Sequence, residues 1–391
     1  MMESIITSMP MLVCAVLTAQ LCLSLVSRWD RPRFRLLLFM AAATLLYTAH
    51  YIFFNRQTSA IPLSDTIYSF CNPAVFPLYL IYIEELTLNR PSRWRQAAYI
   101  TPAVLCFLTV GSLYLLMSPD ETRVFIQHHL YGDEYLSLSG LARWQAEAHL
   151  LVKIVFAAQI PPVLILGWRR ITEYNQFIKG NYSNTEGKML TPVRSLLILL
   201  VAASLLSFAC NVIGRFRFAD TIWLLAIPSA VFSLLILLIG HIGLNQNFSI
   251  ANTEEDTSPH PLETDDQQAA PKTDAQSELK DRVIRLVEQE RLYLQPNLKI
   301  SDLAERLNTN RNYIYNAVNV ELGISFSELI NQKRIEFAAA QIRRDPKKLL
   351  ADIAIISGFT STSAFYRNFK QFKHCTPSQY QREMLDAKPS Q

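Results

Sequence analysis

The sequence predicts an all-α chain: a polytopic bundle of about seven transmembrane helices followed by a soluble domain made of two helix-turn-helix units. Three observations lead there. Long apolar runs crowd into the first 245 or so of the 391 residues. The remaining residues have the charge and periodicity of a water-soluble protein. Within that soluble part, one arrangement of residues occurs twice.

A bilayer-spanning helix needs about 20 mostly apolar residues. Such runs lie at roughly 5–27, 36–54, 66–86, 97–117, 149–168, 195–213 and 222–244. The third is the weakest, being interrupted by Asn72, Pro73 and Pro77; proline is tolerated in a membrane helix when neighbours satisfy the freed carbonyls. The first does not read as a signal peptide, because Met1–Pro10 contains no Lys or Arg.

Basic residues orient the bundle, since cytoplasmic loops carry the excess of Lys and Arg. With the N-terminus outside, the inner loops hold Arg28, Arg31, Arg33, Arg35, Arg90, Arg93, Arg95, Arg169, Arg170, Lys179, Lys188 and Arg194. The outer loops hold only Arg56, Arg123, Arg143, Arg215 and Arg217. An odd number of spans then delivers residue 245 onward to the cytoplasm. The longest outer loop, about 118–148, reads as a solvated loop with interfacial aromatics, with reception of an external signal as the functional alternative. His128 and His129 are adjacent and diverge by about 100° on a helix, which disfavours joint metal ligation. Within the spans, His50, Asn72, Lys153 and Asn211 are compatible with a ligand cavity or with packing hydrogen bonds.

The six cysteines form no C-x-x-C pair. Five lie in apolar runs, where a free thiol behaves as a small hydrophobe. No disulfide, metal site or cofactor is expected.

Charge divides the chain into 1–249, 250–277 and 278–391. The first part carries 18 Lys+Arg against 13 Asp+Glu, the second one against seven, the third 18 against 13. The middle segment contains Pro259, Pro261 and Pro271 and no aromatic residue. It buries too little apolar surface to offset chain entropy and is expected to be a disordered acidic leash, with a reach on the order of 30 Å. The basic third part permits nucleic acid.

Leu279, Val283, Leu286 and Val287 predict an amphipathic helix. A short helix follows from Asp302 to Leu307, then Asn308-Thr309-Asn310, then a helix from Arg311 to about Val320. Asn suits both a left-handed turn position and an N-cap. Fifty positions on, Asp352-Ile353-Ala354 repeats Asp302-Leu303-Ala304, and Gly358 stands where Asn308 did. After one extra turn residue, Phe365 and Phe369 match Ile314 and Val318. The two units are therefore placed at about 300–320 and 350–372. Between them Phe326–Arg344 predicts a rod of about 27 Å, ended by Asp345-Pro346. Such a rod suits two recognition helices about one DNA turn apart, near 34 Å.

The segments IsDLAerLntNrnYIYnaVN, GisFseLINqkRIefAaaqI and aDIAiisGFTStSaFyRnFKqFkhcTPsqYqRe resemble the AraC/XylS family of bacterial transcription activators. The resemblance covers Ile300 to Glu383, the last quarter of the chain. Two positions depart from it: His374 stands where the family usually has Gly, and Asn368 where it has an apolar residue. The whole resembles the transmembrane subgroup carrying this domain, which implies a multi-pass protein of the bacterial inner membrane and no catalytic activity.

The outward residues near the starts of the recognition helices are Arg311, Asn312, Tyr315 and Asn316 in the first and Ser361, Thr362, Tyr366 and Arg367 in the second. Arg reads guanine and Asn adenine in the major groove, while hydroxyls suit phosphates. Lys370, with Arg334, Lys347, Lys348 and Lys373, is expected on backbone phosphate or in solvent. The expected partners are double-stranded promoter DNA, membrane lipid, RNA polymerase, a second copy of the chain and a signal ligand. A transporter or enzyme with a regulatory tail is the alternative, but the chain has no G-x-x-x-x-G-K-[ST] and no H-E-x-x-H. A membrane scaffold whose tail binds protein is the third reading.

Overall fold

The computed structural model describes all residues except 1, 133, 214–216, 219–220, 247, 251–272 and 387–391. Among the described residues it is helical throughout, with one isolated β-bridge. It divides into two compact units: Met1–Thr172 with Leu190–Thr253, and Glu173–Met189 with Glu254–Gln391.

The first unit contains α1 (Met2–Ser27), α2 (Arg31–Phe54), α3 (Ile61–Thr87), α4 (Arg93–Leu116), a short α5 (Pro119–Val124), most of α6 (Gly140–Asn181), α7 (Thr191–Ile213) and α8 (Ala226–Asn245). All but α5 are long and apolar enough to cross a membrane. The third run, weakest by hydropathy, forms one continuous helix through Pro73 and Pro77. The reason is its surroundings. In α3 72% of the apolar window is buried by protein, against at most 39% in the other six. A helix wrapped by other helices needs less hydrophobicity than one facing lipid, and its neighbours satisfy what proline frees.

Burial also explains the polar residues of α3. Tyr114 donates to Asp65 Oδ2 at 2.8 Å, and His149 Nε2 lies 2.6 Å from the same oxygen. The other ring nitrogen of His149 is 2.7 Å from the Gln145 carbonyl. Asp65 thereby joins α3, α4 and α6. At the opposite end of α3, Arg35 pairs with Glu85 at 3.4 Å and Tyr99 donates to Glu84 at 3.2 Å. Removing one partner of a buried charged contact strands the other, a loss of about 3 kcal/mol or more. Asp65→Ala should therefore lower the thermal unfolding temperature of the detergent-solubilised protein by several degrees. An unchanged transition would show that the contact carries no stability.

The segment expected to be a solvated loop is instead partly folded. Ser118 and Glu121 form a capping box at the start of α5, and Glu121 also accepts from the Leu141 backbone N–H at 3.2 Å. Phe125, Ile126, Leu130 and Leu138 are buried with Phe53 and Met117. Tyr131 stacks on Phe53 and donates to its carbonyl at 2.7 Å. The apolar residues between the charges make this a lid on the bundle. The span at 149–168 is likewise longer than expected: α6 runs for 42 residues, through Pro161 and Pro162, to Asn181.

The second unit contains the end of α6, the loop to Met189, and α9 (Thr273–Gln289), α10 (Ile300–Arg306), α11 (Arg311–Tyr315), α12 (Phe326–Arg344), α13 (Leu350–Ile356), α14 (Thr362–Lys373) and α15 (Pro377–Asp386). α9 begins at Thr273, inside the stretch expected to be a leash; the rest of that leash, 251–272, lies outside the described residues, as does the side chain of Asn211.

Two apolar cores sit on one rod. Phe326, Leu329 and Ile330 of α12 pack with Val283, Val287, Leu303, Ile314 and Val318. Ile335, Ala338, Ala339 and Ile342 pack with Ile353, Ala354, Phe359, Phe365 and Phe369. The predicted repeat is thus a repeat of core positions, and α12 buries opposite ends of itself in the two units. α12 starts at Ser325, whose side chain accepts from the Glu328 backbone N–H, and ends at Asp345 before Pro346.

Arg334 requires a correction. Expected on phosphate or in solvent, it is only 1% exposed. Its guanidinium donates to the carbonyls of Tyr293 (2.7 Å), Gln295 (2.6 Å) and Pro296 (3.2 Å), to Asn331 Oδ1 (3.1 Å) and to Ser183 Oγ (3.2 Å). Burial pushes it down to about 10, so it stays charged at neutral pH. These carbonyls lie in and just after the short 3-10 turn Leu292–Leu294 that precedes α10, and the planar fork of Arg meets several at once.

Candidate nucleic-acid interface

Each recognition helix is set by its cap and its core face. In the first unit Asn308 takes the left-handed conformation (φ 47°) that turns the chain. Asn310 caps α11, its side chain accepting from the Asn312 backbone N–H at 2.9 Å. The helix continues through Asn316–Glu321 as a wider π turn. Ile314, Ala317 and Val318 face inward; Arg311, Asn312 and Asn316 lie outside that buried set, while Tyr315 packs against the edge of the core. Asn312 is exposed; the other three are half-buried.

In the second unit Gly358 (φ 84°) replaces Asn308. Ser361 is the N-cap of α14 and accepts from the Ala364 backbone N–H at 3.1 Å. Ala364, Phe365 and Phe369 are buried, while Thr362, Arg367 and Lys370 are exposed. Tyr366 is half-buried and shares a hydrogen bond of 2.9 Å with Ser378, so its hydroxyl is held against α15. Asn368 turns its amide onto the Ala364 carbonyl at 2.8 Å, which accommodates the polar departure. His374 adopts the left-handed C-cap (φ 60°), the conformation Gly otherwise supplies. Of the outlying lysines, Lys347 is exposed, and Lys348 and Lys373 are half-buried.

The far end of α6 covers part of the first unit's outer face. The Arg311 guanidinium lies 5.9 Å from the centre of the Phe177 ring, and burial pushes it below its ordinary value. Asn319 donates to the Gly180 carbonyl at 3.3 Å and to its own helix at Tyr315, 3.1 Å. Its Oδ1 accepts from the Phe326 backbone N–H at 3.1 Å, tying the recognition helix to α12. In the second unit Ser361 donates to Glu186 Oε2 at 2.5 Å. The contacts to α6 and to Glu186 are not legible in the sequence because those partners lie well over a hundred positions apart. The capping role of Ser361 had a local signal, a serine three residues before an inward apolar run.

Chemically, the two outer faces offer donors for base edges (Arg311, Asn312, Asn316, Arg367) and for phosphate (Thr362, Lys370). Among the described residues no cluster of His, Cys, Asp and Glu could hold a metal ion.

Residues 303–383 match the family described as a helix-turn-helix domain. An uncharacterized HTH-type transcriptional regulator of Staphylococcus aureus strain MSSA476 is 31% identical over 100 residues, 26% of this chain and 13% of that protein. The corresponding protein of strain N315 gives the same values. The Msm operon regulatory protein of Streptococcus mutans is 30% identical over 88 residues, 22% of this chain and 31% of that protein. The similarity thus spans under a third of the length of these relatives. No solved structure matches. Two capped recognition helices braced by one rod, in a region that matches this family from Leu303 to Glu383, make the C-terminal part of the chain an AraC-type helix-turn-helix domain.

Proposed function

We propose that the chain is a membrane-anchored, sequence-specific DNA-binding transcription regulator, without enzymatic activity, that couples a signal received in the helical bundle to promoter binding. The observation that carries this reading is the pair of recognition helices sharing α12, each with its apolar side buried in its own core and with Asn312 of the first and Thr362, Arg367 and Lys370 of the second exposed. Seven long apolar helices support insertion in the bacterial inner membrane. The excess of Arg and Lys on one set of loops supports an outer N-terminus and a cytoplasmic DNA-binding domain. Contacts to RNA polymerase and a second copy of the chain belong to the same reading, since confinement to a surface raises effective concentration.

The bundle encloses a cavity of about 160 Å³ lined mainly by apolar and aromatic side chains, Phe39, Phe76, Phe156 and Phe232 among them. His50 and Asn72, polar residues singled out in the spans, line the same cavity with Tyr47. That combination suits a lipophilic signal molecule with one hydrogen-bonding group.

The test is binding of the full-length protein in nanodiscs to a labelled duplex. Binding should weaken steeply with salt, and Lys370→Ala, if it removes one phosphate contact, should lower the log–log salt slope by about one. Binding indifferent to salt, or binding only to another protein, would favour the scaffold reading.

A further inference from the structure

The end of α6 and the loop after it, 173–189, are not merely adjacent to the DNA-binding domain; they are stitched to it. The Ser183 backbone N–H donates to the Leu298 carbonyl at 3.0 Å, and Tyr182 forms an antiparallel bridge with Lys299. Asn331 donates to the Ser183 carbonyl at 3.3 Å, Arg334 to Ser183 Oγ, and Asn184 to Asn297 Oδ1 at 3.1 Å. Asn181, Tyr182 and Ser183 are all buried. A loop held by this many specific contacts is a docked element.

Its position matters more than its number of bonds. Arg311, Tyr315 and Asn319 stand four residues apart on the first recognition helix, and each meets α6. Arg311 lies over Phe177, Tyr315 packs against Gly180, and Asn319 donates to the Gly180 carbonyl. The approach is close enough that a Cβ on residue 180 would stand 2.5 Å from Tyr315 Cε2. On the second unit, the Glu186 carboxylate accepts from Ser361, the N-cap of α14. The N-terminus of a recognition helix is where a backbone phosphate finds N–H and hydroxyl donors, so a carboxylate there takes the place of that phosphate. A helix in the major groove must present its outer residues, Arg311 and Tyr315 among them, to DNA. They cannot serve both partners at once.

We propose that segment 173–189 is an intramolecular competitor of DNA: docked, it covers the first recognition helix and caps the second with a carboxylate, and the domain binds DNA only when the segment lets go. This rests on the DNA-binding reading above. The apparent affinity for DNA is the intrinsic affinity multiplied by the fraction of undocked molecules. With about one molecule in a hundred undocked, release raises affinity by up to about 100-fold. The signal then needs only to shift the docking equilibrium, with no change in the recognition helices themselves.

The experiment uses the full-length chain in nanodiscs and a fluorescein-labelled, 40-base-pair mixed-sequence duplex at low salt. Gly180→Leu, whose side chain would crowd Tyr315 and Asn319 Oδ1 and so oppose docking, is expected to bind about 10- to 100-fold more tightly than the unchanged protein. A second variant works in the opposite direction. Asn184→Cys with Asn297→Cys, in a background with Cys22 and Cys375 replaced by Ser, is joined by a short reducible thiol crosslinker. The joined form should lose duplex binding and regain it on reduction. Joined and reduced forms binding alike would overturn the proposal, whatever Gly180→Leu does. Absence of binding by every form, the reduced and Gly180→Leu proteins included, would instead overturn the DNA-binding reading and the proposal with it.

Discussion

Arg334→Ala should destabilise the DNA-binding domain by about 3–5 kcal/mol. The guanidinium is buried, and among the described residues its acceptors are three backbone carbonyls, an amide and a hydroxyl. Truncation removes this donor from all of them; the Gln295 carbonyl keeps the Leu298 backbone N–H at 3.4 Å, and each buried polar group left unpaired costs about 1–3 kcal/mol. Water entering the vacated space recovers part of this, which keeps the total below the simple sum. Arg334→Lys should recover little, since one ammonium cannot span carbonyls that the planar fork reaches from several nitrogens. Amide hydrogen exchange of the full-length protein checks this directly. Exchange across 292–298 should accelerate in both variants, while the helices of the membrane unit keep their protection. Unchanged exchange in this segment would mean that Arg334 is a passenger.

Gly358→Ala should cost about 3 kcal/mol, and the equivalent change in the first unit, Asn308→Ala, only about 1 kcal/mol. Both positions are left-handed, with φ of 84° and 47°. The difference lies in what surrounds them. A Cβ on residue 358 would stand 2.7 Å from the Leu294 carbonyl oxygen and 2.9 Å from that of Tyr293, and neither is a flexible side-chain end. Asn308 already carries a Cβ, so its replacement loses only the preference of Asn for this conformation. The two substitutions, made separately and followed by chemical denaturation, should therefore differ clearly. Equal losses would show that 293–296 yields, and that the close approach is incidental.

Gly358 and Arg334 converge on the same stretch, 293–296, which links α9 to α10. The second helix-turn-helix unit is thereby keyed to the first through backbone rather than through side-chain packing alone. The Arg334 guanidinium also lies 5.6 Å from the centre of the Phe359 ring, adjoining the same turn. The two units are thus joined through this stretch as well as through α12.

Much of this was legible in the sequence because it is encoded locally. Apolar runs gave the spans, since hydropathy over about 20 residues is a sum that survives any tertiary arrangement. The repeat from Asp302 to Asp352 was legible because core positions recur at helical spacing. Ile314 and Phe365, Val318 and Phe369 are all fully buried. Asn308 and Asn310 announced their backbone roles through residue type, and His374 through the Gly that the resembling family usually has at its position.

What stayed hidden depends on partners remote in the chain. Arg334 looked like any charged residue on a helix, and only the carbonyls of 293–296 make it a core residue. Asp65 and His149 lie 84 positions apart, and neither has a neighbour that announces the other. The segment 173–189 read as an ordinary inner loop, because nothing in its composition predicts that it meets residues 297–361. Asn331, Asn319 and Asn184 each form a cross-contact there. In sequence they are three unremarkable polar residues.

The central claim is that one chain reads DNA with two helices braced by one rod, and footprinting tests it most directly. The full-length protein in nanodiscs, at saturating concentration on a duplex selected from random sequence, should protect two patches about 10–10.5 base pairs apart on one face. Asn312→Ala should relax base preference in one patch only, and Arg367→Ala in the other, each by about 1–3 kcal/mol. A single patch of protection, or a footprint in which both substitutions act on the same bases, would contradict the account.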